Sequence, residues 1–294
     1  MRVTRKSLFE GETLQIGLFE ARPTSDACGD VEWQKSNVVV LPFSGVFSKH
    51  DAPGRHVIGT PSHAVFIASD TPYRISFPGA IGDRALIVRF REALAPELLG
   101  RRGSESLASH GLLPSNAIML RNLLWTRLEK GEADRFETEA LGLDLLNMSL
   151  RSMWAGDFSL RRSTLARQMD AVKRVKEAVA LAPAHKWSVA QLARIANLSP
   201  FHLCRVFRQI VDTSIYDYVL RERLAYALDA VLDRRKDITT IALDAGFTSH
   251  SHFTARFRRF FNCTPVAFRR LATAEHVVEL RKIMTAQRSQ LGLD

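Results

Sequence analysis

Two stretches in the second half of the sequence combine arginine, histidine and hydroxyl side chains with regularly spaced large apolar residues. The first, SPFHLCRVFRQI, begins at Ser199, and the second, SHSHFTARFRRFF, begins at Ser249. In each, apolar residues recur every three or four positions, which predicts a helix with one buried face. The remaining polar and basic side chains would then lie on other faces, where such groups can contact base edges and phosphates. The chemistry they indicate is nucleic-acid binding.

Each stretch follows a shorter apolar helix and a turn. Ser188 and Gln191 form a capping box at the start of the first short helix, and the second spans residues 238–245. Asn197 and Gly246 follow these helices, and both residue types tolerate the left-handed backbone that ends a helix. The longer helices then begin after hydroxyl residues that can cap them, with Pro200 at the first helical position in one copy.

The two segments align as copies of one pattern. Leu203, Phe207, Arg208 and Tyr218 correspond to Phe253, Phe257, Arg258 and Phe268, and one extra residue in the second turn changes the offset from 49 to 50. A short helix, a turn and a helix with one apolar and one polar face are typical of a helix-turn-helix. A single copy could equally be a helical hairpin of an all-α domain. Two copies with matching caps and turns favour the helix-turn-helix.

Residues 168–271 resemble the DNA-binding domain of the AraC/XylS family of bacterial transcription regulators. The matching segments are ANLSPFHLCRVFR, IALDAGFTSHSHFTARFRRFF and TPVAFRR. The resemblance implies binding to double-stranded promoter DNA, RNA polymerase as a partner and a location in the bacterial cytoplasm, associated with the nucleoid when bound. It implies an activator more often than a repressor, although the residues do not fix the sign of control.

Net charge agrees with a polyanionic partner. Residues 1–160 carry 18 basic and 19 acidic residues, whereas residues 161–294 carry 23 and 12, so the second half holds the whole basic excess of a chain with net charge +10. A solvated surface or a membrane-facing patch is the alternative for such an excess. The three widely spaced cysteines predict neither a disulfide framework nor a zinc site. The N-terminus lacks a signal-peptide core, so we expect a cytosolic protein with no membrane partner.

The first half alternates short β-branched and aromatic runs with turn residues from Thr13 to Phe90, which predicts a sandwich or small barrel. This order resembles the cupin-like N-terminal domain of AraC-type regulators. Helices are predicted over 92–99, 115–129 and 135–154, the last two as a hairpin. The stripe Leu141, Leu145, Met148 and Ser152 either packs on the barrel or forms a dimer surface; the family resemblance favours a homodimer.

The predicted fold is therefore a multidomain α+β protein: a cupin-like β-barrel with a helical hairpin, followed by an all-α domain. The expected domains are residues 1–154 and 168–294, joined by a polar linker over 155–167. Residues 170–181 would form the first helix of the second domain. A long helix over 215–232 would join the two helix-turn-helix units and hold their recognition helices roughly 34 Å apart, one turn of DNA. The tail after Leu271 is expected to be partly helical.

Candidate contact residues follow from the polar faces. The candidates for base contacts are Phe201, Arg205, His250, Ser251 and Thr254. The candidates for phosphate contacts are Ser199, Arg208, Ser249, Arg258 and Arg259. Arg205 suits bidentate binding to guanine, whereas Phe201 either presses on a thymine methyl or packs on a neighbouring loop. The sequence departs from a frequent family pattern, in which an arginine stands at Ala255; Arg256 lies about 100° further around the helix and need not replace it.

The first half contains only weak evidence for a metal centre or a catalytic site. His50, Asp51, His56 and His63 could suggest a cupin metal centre, but their spacing lacks the paired histidines and nearby glutamate of such a site. We therefore expect no metal, no cofactor and no enzymatic activity. A small-molecule effector of the first half is possible, and its identity is open. The alternatives are a regulator without ligand, a cupin metalloenzyme fused to a nucleic-acid-binding module, and an architectural DNA binder.

Overall fold

The computed structural model describes residues 1–52, 55–91, 94, 98, 109–131, 134–153 and 162–271. The N-terminal strands are β1 Arg2–Glu10, β2 Leu14–Arg22, β3 Asn37–Gly45, β4 Phe47–Ala52, β5 Arg55–Gly59, β6 His63–Ile67, β7 Arg74–Ser76, β8 Asp83–Phe90 and β9 His110–Leu112. The helices are α1 Ser115–Lys130, α2 Arg135–Arg151, α3 Arg162–Leu181, α4 Val189–Ala196, α5 Pro200–Val211, α6 Ile215–Leu232, α7 Ile238–Asp244, α8 His250–Phe261 and α9 Pro265–Leu271.

The described strands form two sheets. Six strands pair in the order β1-β2-β8-β3-β6-β9, and three pair in the order β5-β4-β7. Alternating residues of the central strands point to opposite faces. On β8, Ala85 and Ile87 join the core between the two sheets, whereas Leu86 and Val88 face the helices. The predicted sandwich-like, strand-rich half is thus present, but the predicted closed cupin-like barrel is not confirmed, because the described β4, β5 and β7 form a separate sheet.

Helices α1 and α2 cover the outer face of the large sheet. Gly142 of α2 lies so close to this sheet that an added Cβ would stand 3.1 Å from a Leu14 methyl carbon. Leu141 and Leu145 are buried in the same core. The stripe that could have formed a dimer surface therefore packs mainly inside the chain. Helix α1 is buried nearly all round, because it packs on α2 and also contacts α6 and α8.

Two cores organise the helical half. The first unites α3, α4, α5 and the start of α6, with Val175, Leu192, Leu203 and Phe207 fully buried. The second contains the rest of α6 with α7, α8 and α9, and it is continuous with the core over the large sheet. The second helix-turn-helix unit therefore shares its core with the N-terminal half, whereas the first unit has a separate one.

Most predicted helices are present close to their predicted bounds, and the 215–232 helix matches α6. Two differences appear, and three predicted segments cannot be compared. Helix α3 begins at Arg162, inside the predicted linker, because its leucine, alanine, arginine and glutamine residues are helix formers despite the polar composition. Strands β1 and β9 were not predicted. The helix over 92–99 (apart from Leu94 and Leu98), the linker over 155–161 and the tail after Leu271 lie outside the described residues.

Candidate nucleic-acid interface

The first recognition helix, α5, presents a polar face to solvent. Its N-cap is Ser199, whose hydroxyl accepts a hydrogen bond from the backbone N–H of His202, and Pro200 is the first helical residue. Leu203, Val206 and Phe207 are fully buried. The other faces carry exposed side chains. These are Phe201, Cys204, Arg205, Arg208 and Gln209.

Phe201 is the most exposed large apolar side chain of the described helical half, with 82% of its surface accessible. It therefore does not pack on a neighbouring loop, which was one of the two expectations for this residue. Covering an exposed phenylalanine with a partner removes its apolar surface from water, which favours binding. A thymine methyl is such a partner in a major groove.

The second recognition helix, α8, repeats this arrangement. Ser249 is its N-cap and accepts from the His252 backbone N–H, while Phe253, Phe257 and Phe261 are fully buried. The exposed side chains of this helix are His250, Ser251, Ala255, Arg258 and Arg259. These positions agree with the sequence-based placement of the polar face.

Thr254 differs from the other residues predicted to contact bases. The residue is only half-buried, but its hydroxyl oxygen has no accessible surface and no hydrogen-bond partner among the described residues. In this arrangement the oxygen does not face solvent, unlike the side chains of His250 and Ser251. The sequence placed Thr254 on the polar face because threonine follows Phe253 in the helical pattern, and it could not show how closely neighbouring elements approach α8.

Arg256 does not take the place of the missing arginine at Ala255. Its guanidinium lies over the Tyr216 ring of α6, 5.8 Å from the centroid, and its Nε donates to His252 Nε2 at 3.5 Å. His252 is itself held by the Thr248 hydroxyl at 3.1 Å. This group joins α8 to α6, which agrees with a structural rather than a base-reading role for His252.

The turns of the two units share their geometry. Asn197 and Gly246 have left-handed backbone with φ of 55° and 80°. In both turns the next residue donates to a carbonyl in the preceding helix: Leu198 N–H to Ala193 O, and Phe247 N–H to Ala242 O. This Schellman-type bonding fixes the angle between the two helices of each unit.

Several arginines of the basic half donate hydrogen bonds to backbone carbonyls within the protein. Arg174 donates to the carbonyls of Ile195 and Ala196, and Arg269 donates to those of Val231 and Lys236. Arg223 of α6 donates to the carbonyls of Pro183 and His185. These guanidinium groups compensate carbonyls near helix ends and hold the units to their neighbours. Net charge alone did not distinguish them from arginines that face solvent.

The sequence-based search missed a buried polar cluster where α6 meets the large sheet. Glu222 is 1% exposed, and its Oε1 accepts from the Thr60 hydroxyl at 2.8 Å and from the Ser62 hydroxyl. Burial raises the pKa of Glu222, and the hydrogen bonds from Ser62 and Thr60 oppose this. No sequence signal marks such a group, because a glutamate in an amphipathic helix normally faces solvent.

The histidines that could have suggested a metal centre lie apart. His50 and His56 stack across β4 and β5 with centroids 4.6 Å apart, whereas His63 is fully buried beside Glu222. Among the described residues, no group of three or more histidine, cysteine, aspartate or glutamate side chains could hold a metal ion. Within the same part of the chain, no helix is long and apolar enough to cross a membrane.

Comparison with known proteins gives matches to the helical half and, at lower identity, to most of the chain. A helix-turn-helix domain model matches residues 192–271. The probable transcription factor PqrA of Proteus vulgaris is 35% identical over 99 residues, which cover 30% of this chain and 81% of that protein. The probable transcriptional regulator LumQ of Photobacterium leiognathi is 22% identical over 253 residues, covering 81% of this chain and 98% of LumQ. The crystal structure of ToxT from Vibrio cholerae O395 covers 90% of this chain at 12% identity and TM-score 0.36, and all of the ToxT chain is covered.

Proposed function

We propose that this chain, which belongs to the AraC/XylS family of DNA-binding transcriptional regulators, reads two adjacent major grooves of promoter DNA with α5 and α8. The observation that carries the proposal is the pair of capped recognition helices, each with an exposed polar face, joined by α6. Helix α6 has 18 residues. At 1.5 Å per residue it is about 27 Å long, comparable with the roughly 34 Å of one DNA turn.

Base reading is assigned to Phe201 and Arg205 of the first unit and to His250 and Ser251 of the second. Arg205 is exposed and can donate two parallel hydrogen bonds to guanine O6 and N7. Thr254 is left out of this set because its hydroxyl is buried. The second unit then has no arginine for a base edge, so we expect the first unit to carry most of the sequence discrimination.

Phosphate contacts are assigned to the helix N-termini at Ser199 and Ser249 and to three exposed arginines. The free N–H groups of a helix N-terminus attract an anion, and the serine hydroxyls lie beside them. Arg208, Arg258 and Arg259 are exposed in the last turns of α5 and α8. They would neutralise phosphates whatever the base sequence.

The finer regulatory properties also belong to this proposal. Family membership supports activation through RNA polymerase and a homodimer formed by the N-terminal half. It also supports control by a small-molecule effector and the division into residues 1–154 and residues 168–294. The linker between them, expected over 155–167, is shortened by α3, which begins at Arg162. The near-neutral charge of the first half, against the strongly basic second half, supports the same division of labour.

The test begins with selection of genomic fragments by the purified full-length protein at about 150 mM salt, near physiological ionic strength. We expect a motif with two half-elements about one DNA turn apart. On that motif, Arg205→Ala should lose about 5- to 150-fold of the preference for specific over random DNA, since a bidentate base contact contributes about 1–3 kcal/mol of discrimination. Gln209→Ala, an exposed change on the same helix, is the control.

Equal loss of affinity for specific and random DNA in Arg205→Ala would contradict base reading by this residue. Failure of the full-length protein to enrich any motif, together with strong binding to random fragments, would instead support an architectural DNA binder.

A further inference from the structure

Helix α3 carries two lysines that face histidines of the N-terminal half. Lys173 Nζ lies 2.8 Å from Nδ1 of His56 on β5. Lys176, one turn further along α3, is buried and acts electrostatically on two buried histidines of the large sheet. We call this contact between α3 and the sheets the histidine junction. Its members are Lys173, Lys176, His50, His56, His63 and His110.

The hydrogen bond between Lys173 and His56 requires a neutral imidazole. A lysine ammonium has only donors, so Nδ1 of His56 must be the acceptor and carries no proton. The ring of His50 stacks on that of His56 with centroids 4.6 Å apart. A proton added at Nδ1 of His56 would remove the hydrogen bond and place a second positive charge against the ammonium. The contact between α3 and the small sheet therefore depends on the protonation state of this ring.

The buried His63 has one nitrogen that is ready to take a proton but has no partner for it. The Thr60 hydroxyl donates to Oε1 of Glu222 at 2.8 Å, so its lone pair accepts from Nδ1–H of His63 at 2.7 Å. The proton of the neutral ring is thus on Nδ1, and Nε2 is the basic nitrogen. Nε2 is buried and has no hydrogen-bond partner among the described residues. Protonation of His63 would therefore create a buried charged donor without an acceptor.

His110 of β9 has the same character. Its Nδ1 is buried and has no hydrogen-bond partner within the described chain, and its ring lies near that of His63, with centroids 6.0 Å apart. Burial, and after it Lys176 and Lys49, lowers the pKa of His110 to about 3. Burial and Lys176 also hold the pKa of His63 well below its usual value. Both rings are therefore neutral near pH 7.

Glu222 does not supply the missing acceptor, although its Oε1 lies 3.8 Å from Nδ1 of His63. The added proton would be on Nε2 instead. The carboxylate is also already compensated by two hydroxyl donors and three buried cations, and the Tyr218 ring lies on the same side of His63. These donors and cations are Thr60, Ser62, Lys176, Arg221 and Arg121.

The other carboxylates of the histidine junction also have cationic neighbours. Asp51 forms an ion pair with Lys49, and its charge raises the pKa of His50, but burial and Lys173 outweigh it, so this pKa is lowered. The carboxylates beside Lys173 on α3 are Asp170 and Glu177. Positive charge added to the histidines would thus meet lysines whose own counter-charges are already present.

The two helix-turn-helix units are joined to the N-terminal half by different chemistry. The second unit shares a continuous apolar core with the large sheet and α1. The first unit has a separate core, against which Leu112 of β9 packs, and its α3 meets the sheets through the polar histidine junction. Protonation changes the free energy of polar contacts far more than that of apolar packing. Acid should therefore act on the joint of the first unit.

We propose that the histidine junction is a pH switch: its neutral histidines hold the first helix-turn-helix unit against the N-terminal sheets, and their protonation releases this unit. The second unit stays in place because its joint is apolar. The regulatory consequence, a change in DNA affinity with pH, rests on the proposed function.

Acid favours the released form, because a histidine exposed to water has a pKa of about 6.5 and binds a proton that the closed form excludes. The closed form therefore loses stability as the pH falls below about 6.5. Between about pH 7.5 and pH 5.5, each released histidine should shift the ratio of released to closed form by about tenfold. Burial raises the pKa of Glu222 in the closed form, and protonation of this carboxylate offsets part of the shift. We expect a net shift of at least tenfold.

Two native cysteines report the position of the first unit. Cys28 is exposed in the N-terminal half, in a loop held by the bond from Gly29 N–H to the Ile75 carbonyl, and Cys204 is exposed on α5. Cys263 is buried, and burial raises the pKa of its thiol to about 12, so it reacts slowly with labels. Spin labels on the two exposed thiols allow distance measurement by pulsed EPR on the full-length protein without DNA.

We expect one Cys28–Cys204 distance at about pH 7.5 and a second, broader population at about pH 5.5. The ratio of the second population to the first should rise at least tenfold. A label on α8, placed by Ala255→Cys in a Cys204→Ser background, tests the second unit, and its distance to Cys28 should stay the same at both pH values. Ala255 is exposed and suits a label.

Variants test which groups bind the protons. His63→Asn/His110→Asn should leave the ratio nearly unchanged between the two pH values. Because both of these positions are buried, His56→Asn provides a second test at a half-buried one: its amide oxygen can accept from Lys173 at every pH, and the shift should be about tenfold smaller. His185→Asn, an exposed change in the turn after α3, is the control and should keep the full shift.

An unchanged Cys28–Cys204 distance, a full shift in folded His63→Asn/His110→Asn or His56→Asn protein, or an equal change in the distance to the α8 label would overturn the switch. The second experiment compares the DNA affinity of the unchanged protein and of His56→Asn at the two pH values. Acid should change the affinity of the unchanged protein by about fivefold more. Release of the first unit without this difference would overturn the regulatory part alone. Absence of DNA binding at both pH values would count against the proposed function and not against the switch.

Discussion

The two helix-turn-helix units share their local chemistry and differ in their surroundings. Each recognition helix has twelve residues, begins after a serine N-cap and ends at a left-handed residue, Asp212 or Asn262. Each is followed by a helix capped by a hydroxyl residue, Ser214 or Thr264. The repeat thus extends beyond the two helices that define the motif, which indicates that short-range interactions specify each unit separately.

The two units differ in the elements that they pack against. The first unit shares a core with α3, while the core of the second unit is continuous with the sheet and α1. Helix α1 contacts α8, the second recognition helix. The N-terminal half is therefore in direct packing contact with the second recognition helix.

Their exposed faces differ as well. Phe201 and Arg205 of α5 correspond to Ser251 and Ala255 of α8. The first unit thus carries the larger and more specific contact groups on a helix with its own core. The second unit carries smaller groups on a helix fastened to the rest of the chain. We infer that the first unit supplies discrimination and that the second is the one through which the N-terminal half acts.

The largest expected effect comes from removing equivalent core rings. Phe207→Ala and Phe257→Ala each delete a fully buried phenylalanine, and each should cost about 3–5 kcal/mol of unfolding free energy. The two substitutions should destabilise different sets of helices. In native-state hydrogen exchange, Phe257→Ala should raise exchange in α1, whereas Phe207→Ala should raise it in α3 to α5 and leave α1 protected.

The matched control for both variants is Phe136→Ala, a ring exposed on α2, which should change neither stability nor exchange appreciably. If Phe207→Ala opened α1 as much as Phe257→Ala does, the two cores would behave as one unit, and the contrast drawn above would be wrong.

A smaller effect is expected at the turns. Gly246→Ala places a Cβ 2.4 Å from the Ala184 carbonyl oxygen and also imposes left-handed strain, so the backbone must shift. Asn197→Ala adds only the strain, about 1–2 kcal/mol. We expect Gly246→Ala to be the more destabilising in thermal melts. Equal losses would show that the contact between the second turn and the 180–185 segment can relax freely.

Asn197→Gly is the complementary control, because glycine adopts the left-handed backbone without a Cβ clash. It should leave the melting temperature close to that of the unchanged protein.

The sequence predicted the helical half well because its signals are local. Caps, left-handed turn residues and apolar spacing each involve residues only a few positions apart in the sequence. They therefore define the helices wherever the segment lies in the fold. The same is true of α6, whose N-cap at Ser214 and apolar face define it without reference to distant residues.

The features that were not predicted from the sequence depend on contacts between residues far apart in the chain. Strand β1 is mostly exposed and mixes polar and apolar residues, so its pairing with β2 leaves no clear alternation to recognise. Arg121 is fully buried in α1 because the carbonyls of Pro42 and Pro61 accept its hydrogen bonds, and these partners come from distant loops and strands. The burial of Glu222 and of the Thr254 hydroxyl has the same origin. Such residues look like surface residues until the neighbouring elements are in place.

The smallest expected effect concerns the phosphates. Arg208 and Arg258 are equivalent residues in the last turns of α5 and α8, both exposed. If each neutralises one phosphate, Arg208→Ala and Arg258→Ala should each weaken binding to specific and random DNA alike and lower the slope of log K against log salt by about one unit. Arg235→Ala, whose guanidinium is already paired with Asp233, should leave the slope unchanged. A loss of slope in Arg208→Ala but not in Arg258→Ala would mean that the second unit does not reach the backbone in the bound state. The two units would then differ in backbone binding as well as in base reading. Only the first unit would hold the duplex, because the N-terminal half would keep α8 away from the DNA.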